Sequence, residues 1–69
     1  MDPSTHKRFL EYRERYTYFG GETKQPILSP DEFTAADTEQ RLLDAQGEEG
    51  RDDEEEARFV ELSKRLFRD

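Results

Sequence analysis

The last part of the chain alternates apolar and charged positions at the spacing of an α-helix. One side of such a helix would carry four large apolar residues, Phe59, Leu62, Leu66 and Phe67. Acidic residues crowd the first turns and basic residues the last, which is the order that the helix dipole favours. The pattern predicts an amphipathic helix over about residues 53–68.

A second periodic pattern, made of aromatic residues, lies near the start of the chain. Helical spacing would place four rings on one side, those of Phe9, Tyr12, Tyr16 and Phe19. Asp2 followed by Pro3 is typical of a helix start, and Gly20-Gly21 is typical of a helix end. We predict a helix over about 3–18 and a connector over about 19–29. We assign the rings to the core, because the chain has few large aliphatic residues.

The clearest local signal in the sequence begins at Ser29. Proline follows at the first helical position and Glu32 at the third, which predicts a capping box. Leu28 and Phe33 flank this box as a hydrophobic staple. The helix is predicted over about 30–45. It has two narrow apolar sides, one with Phe33, Ala36 and Leu43 and another with Ala35 and Leu42, so it could contact two neighbours.

An acidic linker, about residues 46–52, joins the second and third predicted helices. Asp52 or Asp53 would cap the third helix. Two helices joined by a short polar loop are typical of an antiparallel αα-hairpin. We therefore predict an all-α fold, a single small domain of residues 1–69 in which the first helix packs on a hairpin of the second and third.

Composition limits how large the core of this domain can be. The chain has 69 residues, of which 30% are hydrophobic and 42% charged. So short a chain buries only about 60% of the surface that its unfolded form exposes. It has no cysteine, so neither a disulfide nor a thiolate zinc site can reinforce the fold. We therefore expect a homo-oligomer or an obligate protein partner.

The net charge of −7 is unevenly distributed. Five bases and four acids lie in the chain up to Lys24, whereas six bases and fourteen acids follow from Gln25 onward. The excess of acid disfavours nucleic acid as a partner, since phosphate binding needs a basic surface. The aromatic stripe with its neighbouring bases could form a stacking platform for nucleic-acid bases, but we prefer its assignment to the core.

Neither catalysis nor a bound cofactor is indicated. His6 is the only histidine, and no serine or glycine motif of a known active site occurs. The acidic linker has some features of a calcium-binding loop, but Glu49 occupies the position that requires glycine. We therefore predict no catalytic residue, no metal and no cofactor. No apolar run is long enough to span a membrane and no signal peptide is evident, so we expect an intracellular, cytoplasmic protein.

The expected function is that of a non-catalytic protein–protein interaction module, a small regulatory protein or subunit. Its partner-binding residues would be the four apolar residues of the third helix together with an acidic run, Asp52, Asp53, Glu54, Glu55 and Glu56. An alternative is an acidic inhibitor or antitoxin-like protein. In that case the acidic run would imitate phosphates and mask the basic site of a nucleic-acid-binding partner.

Overall fold

The computed structural model describes residues 1–23 and 25–68, and their regular structure is entirely helical. Three α-helices are present: α1 spans Pro3–Thr23, α2 spans Pro30–Gln46 and α3 spans Asp53–Arg65. A short 3-10 turn, Glu48–Gly50, lies between α2 and α3. The predicted all-α fold with three helices is confirmed. The chain divides into two compact units, Met1–Thr34 and a second unit that begins at Ala35, so the boundary falls inside α2.

The starts of α1 and α2 follow from local hydrogen bonds that the sequence predicts. The amide of Thr5 donates to Oδ1 of Asp2 at 2.7 Å, and this bond lowers the pKa of Asp2 from its usual value. At α2, the Glu32 amide donates to Oγ of Ser29 at 3.2 Å, and the Ser29 amide donates to Oε1 of Glu32 at 3.0 Å. The capping box therefore forms in both directions, and each bond satisfies an amide that the first helical turn would leave unpaired.

The start of α3 repeats this arrangement. The Glu55 amide donates to Oδ1 of Asp52 at 2.8 Å, and the Asp52 amide donates to Oε1 of Glu55 at 3.3 Å. Asp52, rather than Asp53, is therefore the N-cap residue. All three helices begin where a short polar side chain can accept a hydrogen bond from the first turn.

The end of α1 differs from the prediction. The helix continues through Gly20 and Gly21 to Thr23, so an end near residue 18 is wrong. The reason is the ring of Tyr16, which lies against Gly20: a Cβ at Gly20 would stand 2.7 Å from two atoms of that ring. The Tyr16 hydroxyl donates to the carbonyl oxygen of Gln25 at 2.5 Å. Glycine is thus needed here to let a ring approach the backbone, not to end the helix.

The two adjacent glycines of α1 should respond in opposite ways to alanine. Gly21→Ala is expected to stabilise the protein by about 0.5 to 1 kcal/mol, because alanine favours helix and a Cβ at Gly21 has no neighbour within 4 Å. Gly20→Ala should be destabilising, because its Cβ would displace the Tyr16 ring from its bond to Gln25. Urea denaturation followed by circular dichroism measures both. Equal effects of the two substitutions would contradict this packing.

The first unit has an aromatic core in which α1 packs on the first turn of α2. The Phe33 ring is completely buried, and its centroid lies 5.2 Å from that of Phe9 and 5.4 Å from that of Tyr12. The Tyr12 hydroxyl accepts a hydrogen bond from the amide of Leu28 at 3.0 Å, which anchors the connector. Phe19 is 51% exposed, so its assignment to the core is wrong; it lies at the margin of the stripe.

The second unit is an antiparallel hairpin of α2 and α3, as predicted. Arg51, before α3, bonds to Leu43 near the end of α2, whereas Arg58, within α3, bonds to Glu39, which lies earlier in α2. The two helices therefore run in opposite directions. The apolar core of this unit consists of Leu43, Leu62 and Leu66. The second apolar side of α2 is not covered, since Leu42 is 63% exposed.

Candidate functional site

The apolar residues predicted to bind a partner lie at different depths. Leu62 and Leu66 have no exposed surface, so their assignment to a partner-binding face is wrong: they form the core of the hairpin. Phe59 and Phe67 are half-buried, and Val60 beside them is 40% exposed. The apolar side of α3 is therefore mostly buried, and only the residues at its margin are accessible to solvent.

The C-terminal end of α3 turns sharply at Phe67, which has a positive φ of 57°. The Arg68 amide donates to the carbonyl oxygen of Ser63 at 2.7 Å, and the Phe67 amide donates to that of Lys64 at 3.2 Å. These are the two bonds of a Schellman motif, which usually places glycine where Phe67 stands. The helix therefore ends at Arg65, earlier than predicted, and the chain directs Arg68 back toward α2.

Arg68 forms a largely buried polar network with α2. Its Nη2 donates to Oδ1 of Asp37 at 2.7 Å, and its Nη1 donates to Oε1 of Gln40 at 2.9 Å. Nε2 of Gln40 in turn donates to Oγ of Ser63 at 3.5 Å. The Asp37 side chain is only 1% exposed, so its charge depends on a cationic partner.

The sequence alone does not predict this network. Asp37 and Gln40 occupy positions that a helix places in line with Phe33 and Leu43, so two polar residues interrupt the inner side of α2. Polar residues at the spacing of the apolar side are a signal that the sequence contains. It indicates buried polar residues, although it does not identify Arg68 as their partner.

A groove opens beside this network and lies wholly within the second unit. Its volume is about 420 Å³, and we call it the hairpin groove; it is lined by Gln40, Asp44, Phe59, Val60, Ser63 and Arg68. One wall is apolar, from Phe59 and Val60. The buried lining residues Gln40 and Ser63, which we call the floor, are polar, and Asp44, which we call the rim, is exposed.

The acidic run is divided between structural and accessible carboxylates. Asp52 and Glu55 form the capping box of α3, and Glu56 accepts a 2.6 Å bond from Nε of Arg51. Asp53 and Glu54 are exposed, and so are two glutamates of the preceding 3-10 turn. Asp52 is also exposed, although it serves as the N-cap. We call four exposed residues outside the capping box the acidic end of the hairpin: Glu48, Glu49, Asp53 and Glu54.

Arg51 holds the loop between the helices in place. Besides its bond to Glu56, its Nη1 donates to the carbonyl oxygen of Leu43 at 2.8 Å. Its guanidinium carbon lies 4.1 Å from the centre of the Phe59 ring, a cation–π contact. The Arg51 side chain is therefore buried although it is charged, and it links α2, the loop and α3.

A more exposed ion pair joins the middle of the hairpin. Nε and Nη2 of Arg58 donate to the two carboxylate oxygens of Glu39 at 2.7 and 3.0 Å. These hydrogen bonds lower the pKa of Glu39 and raise that of Arg58. Because the folded-state pKa of Glu39 is depressed, its stabilising effect is present above the ordinary carboxylate pKa and is lost on acidification. Both side chains are partly exposed, so the contribution is small.

Neither a metal centre nor a membrane span is evident in the residues that the structure describes. Over 1–23 and 25–68, no three histidine or carboxylate side chains are grouped so that they could hold a metal ion. In the same ranges, no helix combines the length and the apolar character needed to cross a bilayer. No family model, curated protein or solved structure matches the chain. Its function is therefore inferred from its own geometry.

Proposed function

We propose that this chain is a non-catalytic protein–protein interaction module, a small regulatory protein or subunit of the cytoplasm. One observation carries the proposal: the described residues leave more large apolar side chains exposed than buried. Six form the cores of the two units, namely Tyr12, Leu28, Phe33, Leu43, Leu62 and Leu66. Seven are exposed, namely Met1, Leu10, Tyr18, Phe19, Ile27, Leu42 and Val60.

Such a distribution favours association because apolar surface removed from water contributes about 25 cal/mol per Å². Single exposed apolar residues are ordinary, but here they exceed the buried set in a chain whose cores are small. Covering part of this surface with a partner protein or a second copy of the chain would stabilise the fold and the complex together.

The acidic end supports the second candidate, an inhibitor that masks a basic site on a nucleic-acid-binding protein. Residues 39–56 contain nine acids and only two bases, and four of these carboxylates are exposed together at the acidic end. An array of this kind attracts a basic surface and accelerates association with it.

Sedimentation and affinity capture test whether the protein binds at all. We expect either a self-association that depends on micromolar concentration or a specific protein retained from the native cell. A chain that remains monomeric and retains nothing would contradict the proposed function.

Ionic strength separates the two candidates once a partner is in hand. Exposed charges are screened beyond about 8 Å at 0.15 M salt, so an inhibitor that uses the acidic end should associate much more slowly as salt rises. A variant with Gln or Asn at all four positions of the acidic end should also fail to bind the partner. If association through apolar residues dominates, neither higher salt nor these four substitutions should change the rate or the affinity of association greatly.

A further inference from the structure

We infer that the hairpin groove binds a basic segment of a partner protein, with a lysine or arginine side chain laid along Phe59 and Val60. This inference rests on the proposed function and specifies the chemistry of the partner. It depends on three properties of the groove: an apolar wall, a polar floor, and the exposed carboxylate of Asp44 at the rim.

The apolar wall is held in a fixed position. The Phe59 ring is in contact with the buried Arg51 guanidinium, which is itself bonded to the Leu43 carbonyl and to Glu56. Val60 stands one residue further along α3 and is 40% exposed. Together they offer a surface on which the methylene groups of a long basic side chain can pack while its charged end stays near water.

The floor presents polar groups that suit a peptide backbone. Gln40 and Ser63 are both buried, and the bond between them is 3.5 Å long, at the limit of a hydrogen bond. Ser63 accepts that bond, so its own hydroxyl hydrogen can be donated to an acceptor in the groove. A backbone carbonyl of a bound segment provides such an acceptor.

Charge selects a basic occupant over an acidic one. Arg68, the cation in the groove lining, is already neutralised by Asp37 at 2.7 Å, and Arg51, which contacts the Phe59 ring, is neutralised by Glu56 at 2.6 Å. Asp44 stands exposed at the rim, and from Ala35 onward the chain has twelve acids and six bases. The net charge of this unit therefore disfavours an anionic ligand, whereas a cation beside Val60 would share the groove with the exposed carboxylate of Asp44.

A defined probe tests this inference on the full-length chain. The probe is a blocked amphipathic peptide of lysine, leucine and alanine, and binding is followed by chemical-shift changes of the protein. We expect the changes to concentrate at the hairpin groove, with Val60 shifted and Leu42, exposed on α2 away from the groove lining, unchanged. A peptide with glutamate in place of every lysine should not bind.

Matched variants separate docking in the groove from diffuse attraction. Asp44→Asn and Val60→Ser should each weaken binding of the lysine peptide by about tenfold, which corresponds to about 1.4 kcal/mol. Glu54→Gln removes the same charge at the acidic end, and Leu42→Ser removes an apolar residue outside the groove lining; both should bind nearly as well as the parent chain. Circular dichroism confirms that each variant is folded before its affinity is compared.

Two results would overturn the inference without deciding the proposed function. Equal weakening by Asp44→Asn and Glu54→Gln, with no effect of Val60→Ser, would mean that the peptide adsorbs to acidic surface in general. Absence of any binding by the lysine peptide would mean that the groove does not accept a basic segment. In either case the self-association and partner-capture measurements still decide whether the chain is an interaction module.

Discussion

Phe33→Ala is expected to lower the free energy of unfolding by about 3 to 5 kcal/mol, the largest effect of any single change proposed for this chain. The Phe33 ring is fully buried and contacts the rings of Phe9 and Tyr12, so alanine would leave a cavity at the centre of the first unit. At roughly 0.1 kcal/mol per residue, a chain of this length has a total stability of about 7 kcal/mol. Urea denaturation followed by circular dichroism measures the loss.

Three other substitutions calibrate this result. Phe33→Leu keeps most of the apolar volume and should be milder than alanine. Ser29→Ala removes the cap of α2 and should destabilise by about 1 kcal/mol. His6 is exposed, so His6→Ala should have no detectable effect. If Phe33→Ala unfolds at the same urea concentration as the parent chain, the aromatic core described for the first unit is wrong.

Arg68→Ala, in the second unit, should produce the second large effect. We expect it to lower the free energy of unfolding by about 3 kcal/mol. The substitution removes the cation that bonds to the carboxylate of Asp37, which is 1% exposed. Breaking one partner of a buried ion pair typically destabilises by about 3 to 5 kcal/mol. We expect the lower end of that range because the Arg68 side chain is 18% exposed and water can partly replace it.

A charge-matched control and a double variant test the mechanism of that loss. Lys64→Ala removes the same charge from an exposed position of α3 and should change stability little. Adding Asp37→Asn to Arg68→Ala should recover part of the stability, since it removes the carboxylate that has lost its cation. If the double variant is no more stable than Arg68→Ala, the effect comes from lost packing instead of the buried charge.

The helix starts could be predicted because the bonds that define them are local. Each cap joins residues three positions apart, as Ser29 and Glu32 do, so a short stretch of sequence contains both partners. The end of α1 was harder to predict from the sequence. It depends on how the Tyr16 ring lies against Gly20, and a glycine pair alone is equally compatible with a helix end.

The candidate site was harder to predict because its contacts are long-range. Periodicity identified the apolar side of α3, but it does not show whether that side faces another element of the chain or a partner. Leu62 and Leu66 proved to be core residues, while Phe59 and Val60 remained accessible at the margin. Asp37 and Arg68 are 31 positions apart, and no local pattern relates them.

The position of Arg51 has a consequence for the thermodynamics of binding. Because this side chain joins Leu43, Glu56 and Phe59, the loop backbone that leads to the acidic end is already ordered in the free protein. Ordering a loop on association opposes binding, and a preorganised surface avoids much of that loss of entropy. Arg51→Ala should therefore weaken a partner that uses the acidic end even though every exposed carboxylate remains, and calorimetry should register the change as a less favourable binding entropy.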